Sequence, residues 1–372
     1  MDHLFAVAQK FSPHGRVLDV REYGHGNVHD TFLVTLDSPP ELPFILQRLN
    51  RQVFHQPELI MGNLRAVSRH VLKRLKRAPL GPGRRWELPR VLLTQDGQDH
   101  FISPDGSFWR ALSFIDRAQT FDTIQDLRHA QEVGYALGLF HNLLSDLPAA
   151  RLADTLPGFH LTPLYLEHYD EVLAKKRPSP SAEAAFALRF VSERRAWAHV
   201  LEDAKAQGRL CLRPIHGDPK VNNFMMDTSS GQAVSLIDLD TVKPCLVHYD
   251  IGDCLRSAAN PLGEETENWD SVRFDPEICR ALLKGYLSLA QGFLTANDYA
   301  YLYDAMRVIA FELGLRFFTD YLEGNVYFKA KDRDHNLLRA LVQFQLTASI
   351  ESQAATLRAL IEEEARVFQE GG

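Results

Sequence analysis

The apolar residues of this chain change period once, and that change limits the fold more than any other feature. Through the first third they come in short runs, "RVLDVREYG", "DTFLVTL", "PFILQRLN", "RVLLTQDGQ", "HFISPDGS" and "FWRALSFI", separated by Gly, Pro and Asp. Runs of that length between turn residues predict the strands of an antiparallel sheet. One segment breaks the pattern. From Pro57 to Lys76, Leu59, Ile60, Leu64, Val67, Val71, Leu72 and Leu75 recur at three-to-four spacing, which predicts a helix. From about Asp122 that spacing takes over, and "IQDLRHAQEVGYALGLFHNLL", "DPEICRALLKGYLSLAQGFL" and "ANDYAYLYDAMRVIAFELGLRFFTDYL" read as long amphipathic helices. An α+β, bilobal chain is expected. Residues 1–115 form a small antiparallel-sheet lobe, residues 116–372 a larger, mainly helical one, and a ligand cleft lies where they meet.

Composition narrows the task. A length of 372 residues exceeds what one core usually serves, and 45% apolar with 24% charged residues is ordinary for a globular chain. A net charge of −7 argues against a nucleic-acid partner. No apolar run approaches a membrane span, and "MDHLFAVAQKF" is too short and interrupted for a signal peptide. Cys211, Cys245, Cys254 and Cys279 show no paired metal spacing and are too few for a disulfide framework, so a cytoplasmic location is expected. The basic run Lys73, Arg74, Lys76, Arg77, Arg84 and Arg85 reads as a solvated helix end and loop.

The stretch "RPIHGDPKVNNFMMD", residues 213–227, is poor material for either a helix or a core. After it, "FMMD", the turn-rich "TSSGQ" and "AVSLID" read as a hairpin. Its two open ends carry Asn223 and Asp238, and opposed residues lie about 4.5–5.5 Å apart. An amide oxygen and a carboxylate at that separation suit Mg²⁺, which completes its shell with phosphates and water. Asp218 stands on the loop leading into the same mouth. His216, Asp218 and Asn223 keep the spacing of the protein-kinase catalytic loop. In that chemistry a loop Asp accepts the proton of the attacking hydroxyl and a nearby cation steadies the phosphoryl group, the place open to Lys220. The plainer alternative is a polar turn before a hairpin, with His216 capping backbone groups.

With these motifs the sequence resembles the aminoglycoside phosphotransferase and choline kinase superfamily, whose signature is HGDxxxxN followed by IDxD. Within it, the chain is most similar to the N-acetylhexosamine 1-kinases, through "GHGNVHDTFLV", "FILQRLNRQVFHQPELIMGNL", "LPGFH", "IDLDTVKPCLVHYDIGDCLRS" and "LRFFTDYLEGNVYFKAKDRDHNL". The resemblance implies a protein-kinase-like fold, ATP and Mg²⁺ as cofactors, and transfer to the anomeric hydroxyl of N-acetylglucosamine or N-acetylgalactosamine. It implies Asp218 as the base, Asn223 and Asp238 as metal ligands, and Arg316 and Tyr327 as sugar contacts. Asp30 is a weaker sugar candidate whose rival is an Asp in a turn between strands.

Two departures accompany the likeness. Kinases carry a lysine on the third strand, whereas "FILQRLN" offers Gln47 and Arg48. Strand alternation sends these to opposite faces; the register favours Gln47, while Arg48 keeps the charge. The ion pair with a helix glutamate is left open, with Glu58 as a candidate. "GHGNVHD" is not GxGxxG, so Gly24 and Gly26 either cover the phosphates loosely or help form the sugar site. The rivals are a kinase for homoserine, choline or an aminoglycoside, a pseudokinase that binds nucleotide without turnover, and a metallohydrolase.

Overall fold

The computed structural model describes residues 2–12, 15–24, 28–37, 43–176, 178 and 180–370. Helix α1 (Asp2–Lys10) precedes strands β1 (Val17–Glu22), β2 (Asp30–Leu36) and β3 (Phe44–Leu49). Helix α2 (Pro57–Arg77) then leads to β4 (Val91–Leu92), β5 (Phe101–Ile102) and β6 (Phe108–Ser113). The sheet order is β1-β2-β3-β6-β4, with β5 on β6 and every pair antiparallel. Alternation along the strands gives the sheet two apolar faces. Val34, Phe44, Leu46 and Trp109 pack outward against Val7, Ala8 and Phe11 at α1. Leu49, Phe108 and Leu112 pack inward with Ile60, Leu64 and Val67 of α2, in a core that continues into the helical lobe. Pro57 opens α2, where its missing N–H costs nothing.

The second lobe begins with β7 (Ala118–Gln119), α3 (Leu127–Leu144), α4 (Thr162–Lys175), α5 (Ala182–Arg194) and α6 (Val200–Ala206). Next come β8 (Arg213–Ile215), β9 (Phe224–Asp227), β10 (Ala233–Leu236) and β11 (Lys243–Cys245). Helices α7 (Val247–Ala258), α8 (Pro276–Ala290), α9 (Ala296–Ala300), α10 (Leu302–Glu323), α11 (His335–Ser352) and α12 (Ala354–Glu370) complete it. Strands β10, β9 and β7 form one small antiparallel sheet, and β11 pairs with β8. The expected α+β, bilobal arrangement is present.

Two contacts hold the floor of the lobe in place. Helices α3 and α8 meet backbone to backbone: a Cβ on Gly134 would lie 1.9 Å from the Leu282 carbonyl oxygen, and one on Gly285 2.0 Å from that of Gln131. Only glycine permits this approach. The basic run at the end of α2 and in the loop beyond it is not merely solvated. Arg74 pairs with Asp146 at 2.5 Å, and the Arg84 guanidinium forks onto Glu132 at 2.8 and 2.9 Å while lying 3.9 Å over the Tyr135 ring. These cations staple the first lobe to α3 and its exit. Cys245, Cys254 and Cys279 are buried, Cys211 is exposed, and all four are free thiols. Among the described residues no helix is long and apolar enough to cross a membrane.

Candidate active site

Beyond β8 the chain turns through His216 and Gly217. Gly217 has φ +90°, and a Cβ there would lie 2.7 Å from the Thr241 carbonyl oxygen, so glycine is required. Asp250 of α7 fixes this turn from below. Its carboxylate accepts from the backbone N–H of His216 at 2.6 Å, from that of Gly217 at 2.8 Å, and from His141 Nε2 at 2.8 Å. Burial pushes the Asp250 carboxyl up, but the His141 hydrogen bond and the neighbouring donors outweigh it and hold it below the ordinary range.

His216 is fully buried. Its Nδ1 accepts the Asp218 N–H at 3.2 Å, so the proton sits on Nε2, which donates to the Ile237 carbonyl at 2.8 Å. The histidine thus caps backbone groups, and in doing so ties the Asp218 loop to the far end of the hairpin. The hairpin itself has the expected ends. Phe224 pairs with Leu236, and the Ile237 N–H donates to the Asn223 carbonyl at 2.9 Å, which leaves Asn223 and Asp238 at the open mouth. Asp238 adopts the left-handed region at φ 62° and is exposed.

Charge is unbalanced at this mouth. Lys220 Nζ lies 2.9 Å from Asp218 Oδ2. The Asp218 carboxylate, working against partial desolvation and assisted by Asp238, raises the Lys220 pKa. Although Asp238 keeps contact with solvent, the protein packed around it desolvates its carboxyl and pushes it up, and the negative charges of Asp240 and Asp218 add to that. Asn223 Nδ2 donates to the Asp218 carbonyl at 2.7 Å, which commits the amide nitrogen and leaves its oxygen to ligate. Hard oxygens with surplus negative charge fit Mg²⁺. Among the described residues no group of three or more His, Cys, Asp or Glu could hold a metal ion, so a cation here would need ligands from phosphate or water.

Arg316 and Tyr327 line a second feature, a pocket of about 250 Å³ that also takes in Phe159, Tyr165, Asp320 and Phe328. The Arg316 guanidinium carbon lies 5.0 Å from the Phe159 ring, 5.1 Å from Tyr165, 5.3 Å from Phe328 and 6.0 Å from Tyr327. Desolvation opposes its charge, but Tyr165, Tyr327, Glu312 and Asp218 support it, and its pKa is raised. Burial pushes the Tyr165 phenol up to about 12, so it stays a hydrogen-bond donor. Helix α10 ends at Gly324 (φ 103°), and Asp320 shapes the segment beyond it. The Asp320 carboxylate accepts the N–H groups of Val326 (2.9 Å), Tyr327 (2.8 Å) and Phe328 (3.0 Å), and the Tyr327 and Phe328 rings lie over Arg316.

Of the remaining candidates, Asp30, Gln47 and Arg48 lie on the sheet. Gln47 faces inward, where its Oε1 accepts from Arg110. Arg48 faces outward, with Nε donating to Asp30 Oδ2 at 2.7 Å and the guanidinium over Trp109. Asp30 and Arg48 line a separate pocket of about 440 Å³ with Arg51 and Lys329, apart from Arg316 and Tyr327. Glu58 is exposed in the first turn of α2; the carboxylate that meets the buried sheet cation is Asp240. Gly24 is exposed with φ 75°, and Gly26 lies outside the described residues.

Sequence reasoning passed over His160, although "LPGFH" contains it. Its Nε2 lies 2.6 Å from the Gly217 carbonyl oxygen and its Nδ1 3.0 Å from Glu312 Oε1, both acceptors, so the ring carries two protons. Burial opposes that charge, but Glu312 prevails and the pKa is raised. Its left-handed backbone (φ 64°) gave no sequence signal.

The phosphotransferase enzyme family model matches residues 19–291. Solved structures with a similar fold include a microcompartment-associated aminopropanol kinase, at 16% identity and TM-score 0.62, covering 96% of this chain and 98% of that one. Choline kinase from Cryptosporidium parvum matches at 14% identity and TM-score 0.62, covering 96% and 97%. An aminoglycoside phosphotransferase from Alicyclobacillus acidocaldarius matches at 16% identity and TM-score 0.59, covering 96% of each chain. At such identities the likeness is one of fold. Most of the chain, the HGD turn and the hairpin included, falls within the matched span: this chain belongs to the phosphotransferase enzyme family.

Proposed function

We propose that the protein is an ATP- and Mg²⁺-dependent kinase that phosphorylates the anomeric hydroxyl of an N-acetylhexosamine, N-acetylglucosamine or N-acetylgalactosamine, to give the sugar 1-phosphate. The observation that carries the acceptor class is Arg316. Aromatic rings around a small pocket are what an ammonium acceptor such as choline would seek, but here a guanidinium already stands among them. The nearby carboxylates are committed elsewhere, Asp320 to backbone N–H groups, Glu312 to His160 and Thr162, Glu323 to His168. A neutral acceptor rich in oxygen fits these donors, and an acetamido group and ring hydroxyls supply such oxygens. The stretches resembling N-acetylhexosamine 1-kinases support the same class.

In this reading Asp218 accepts the proton of the attacking hydroxyl, while Lys220, 2.9 Å from that carboxylate, faces the transferring phosphoryl group. Asn223 and Asp238 would hold Mg²⁺ together with the nucleotide; the ion supplies charge neutralisation across the phosphates. Gln47 belongs to the inner face above the nucleotide. Arg48, tied to Asp30 on the outer face, does not reach it. The partners are ATP and a small sugar.

The test is incubation with ATP, Mg²⁺ and a panel of N-acetylhexosamines, homoserine, choline, aminopropanol and an aminoglycoside, with the phosphorylated position located by NMR. Phosphate at the anomeric carbon of an N-acetylhexosamine is expected. Phosphorylation of the amine-bearing acceptors alone would overturn the assignment.

A further inference from the structure

The buried cation under the sheet stands on β6 rather than β3. Protein kinases use a third-strand lysine that meets the phosphates and pairs with a helix glutamate. In this chain the third strand offers Gln47, whose partner in register is Arg110. Gln47 Oε1 accepts from Arg110 Nε at 2.9 Å and from its NH2 at 2.7 Å. The other edge of the guanidinium forks onto Asp240, NH1 to Oδ1 at 2.6 Å and NH2 to Oδ2 at 2.9 Å. His29 Nδ1 accepts the Asn50 N–H at 3.0 Å, so its Nε2 is the donor that meets Asp240 Oδ2 at 2.6 Å. Arg110 is 1% exposed and Asp240 2%.

Asp240 lies two residues beyond Asp238, in the short turn Leu239–Thr241. Its backbone carbonyl is also held, by Thr155 Oγ1 at 2.6 Å. Asp238, a non-glycine residue in the left-handed region, keeps that conformation only if its surroundings dictate it. We infer that Arg110 and Asp240 form an interlobe clasp that sets the Asp238 turn against the underside of the sheet, taking the place of the strand lysine and helix glutamate. The inference rests on Asp238 as a ligand of the Mg²⁺–nucleotide complex.

Arg110 is too enclosed to touch a ligand, so it is a positioning residue. Its planar fork fixes distance and angle together, which a lysine's single ammonium cannot do. The clasp also spans the two lobes, so the height of the sheet above the hairpin and the placement of the metal ligand are set by one contact. Gln47, turned toward the cleft, then serves to orient Arg110 rather than to meet phosphate.

Calorimetric titration of the non-hydrolysable analogue AMP-PNP, with and without Mg²⁺, tests this on wild type, Arg110→Lys and the paired variant Arg110→Gln with Asp240→Asn. Melting is followed on each, and sugar KM is measured in parallel. The paired variant removes both charges but keeps amide hydrogen bonds, so it is expected to melt near wild type. Its metal-free analogue binding should be unchanged, its Mg²⁺-dependent affinity should fall about 10–100-fold, the range for residues that orient metal ligands, and its sugar KM should stay put. Arg110→Lys should fall between, and decides alone if the paired variant does not fold. Folded variants whose Mg²⁺-dependent affinity equals that of wild type overturn the clasp while leaving the kinase reading intact. A wild type that gains no affinity from Mg²⁺ overturns both.

Discussion

A guanidinium ringed by aromatic faces keeps its donors ready for oxygen, and that makes the residues around Arg316 directly testable. Tyr327 contributes a ring and a hydroxyl to the pocket. If the hydroxyl binds the sugar, its loss leaves a polar partner unpaired at a cost of about 1–3 kcal/mol, roughly five- to a hundred-fold in kcat/KM at 1.4 kcal/mol per decade. Tyr327→Phe is therefore expected to lower kcat/KM for the sugar while leaving ATP KM and Tm near wild type. A lowered Tm with both substrates affected alike would make Tyr327 a packing residue. For Asp218→Asn, loss of the proton acceptor should lower kcat by about 10²–10⁴, with nucleotide binding retained on calorimetry; an unchanged kcat would remove Asp218 from the mechanism. The juxtaposition of the candidates Asp218, Lys220, Asn223 and Asp238 was legible because one loop and one hairpin carry them. The pairings of Arg110 and His160 were not, because Asp240 and Glu312 lie 130 and 152 positions away.

At the scale of elements, the end of α10 organises the Arg316 and Tyr327 pocket proposed above for the acceptor. Asp320 accepts three successive backbone N–H groups, so the segment bearing Tyr327 is held by one carboxylate. Asp320→Asn retains the shape but loses the charge and one acceptor oxygen. It should raise sugar KM several-fold while ATP KM stays constant, because the nucleotide site shares none of these contacts; equal changes in both would place the segment outside the acceptor site. Helix α2 and the β9–β10 hairpin were readable from period and turn chemistry. Helix α1 was weighed only as a targeting segment, and its role as a cover for the outer sheet face depends on partners in β2, β3 and β6 that no local pattern reveals. The basic run at the end of α2 and beyond misled for a similar reason: Glu132 and Asp146, which pair with Arg84 and Arg74, lie in and beyond α3.

For the molecule as a whole, the buried His160 imidazolium links global stability to pH. Its folded pKa is raised, so its stabilisation is fully present below the ordinary histidine value of about 6.5 and is lost as pH rises through the folded value. His129 and His248, both lowered by burial, work in the opposite direction, so the whole-chain slope is a sum. The difference in unfolding free energy between wild type and His160→Gln isolates the single group. That difference is expected to shrink from pH 6 toward alkaline pH, measured by urea melts; a constant difference would mean that His160 is neutral in the fold.

The glycine-lined seam of α3 and α8 has a consequence for how the protein is made. His141 and Tyr286 meet across it at a separation of 145 residues, and the HGD loop, the hairpin and Asp250 all lie between those positions in the chain. Contacts of such long range form slowly, since the intervening chain must be closed into a loop before they reward it. A chain leaving the ribosome can pair β1, β2, β3 and β6 early. The Asp250 support under His216 and Gly217 still waits for α8 to seat against Gly134 and Gly138. A nascent chain halted short of Gly285 therefore carries every residue of the HGD turn and the β9–β10 hairpin while lacking the floor that shapes them. Until then α3 presents a bare apolar face to chaperones.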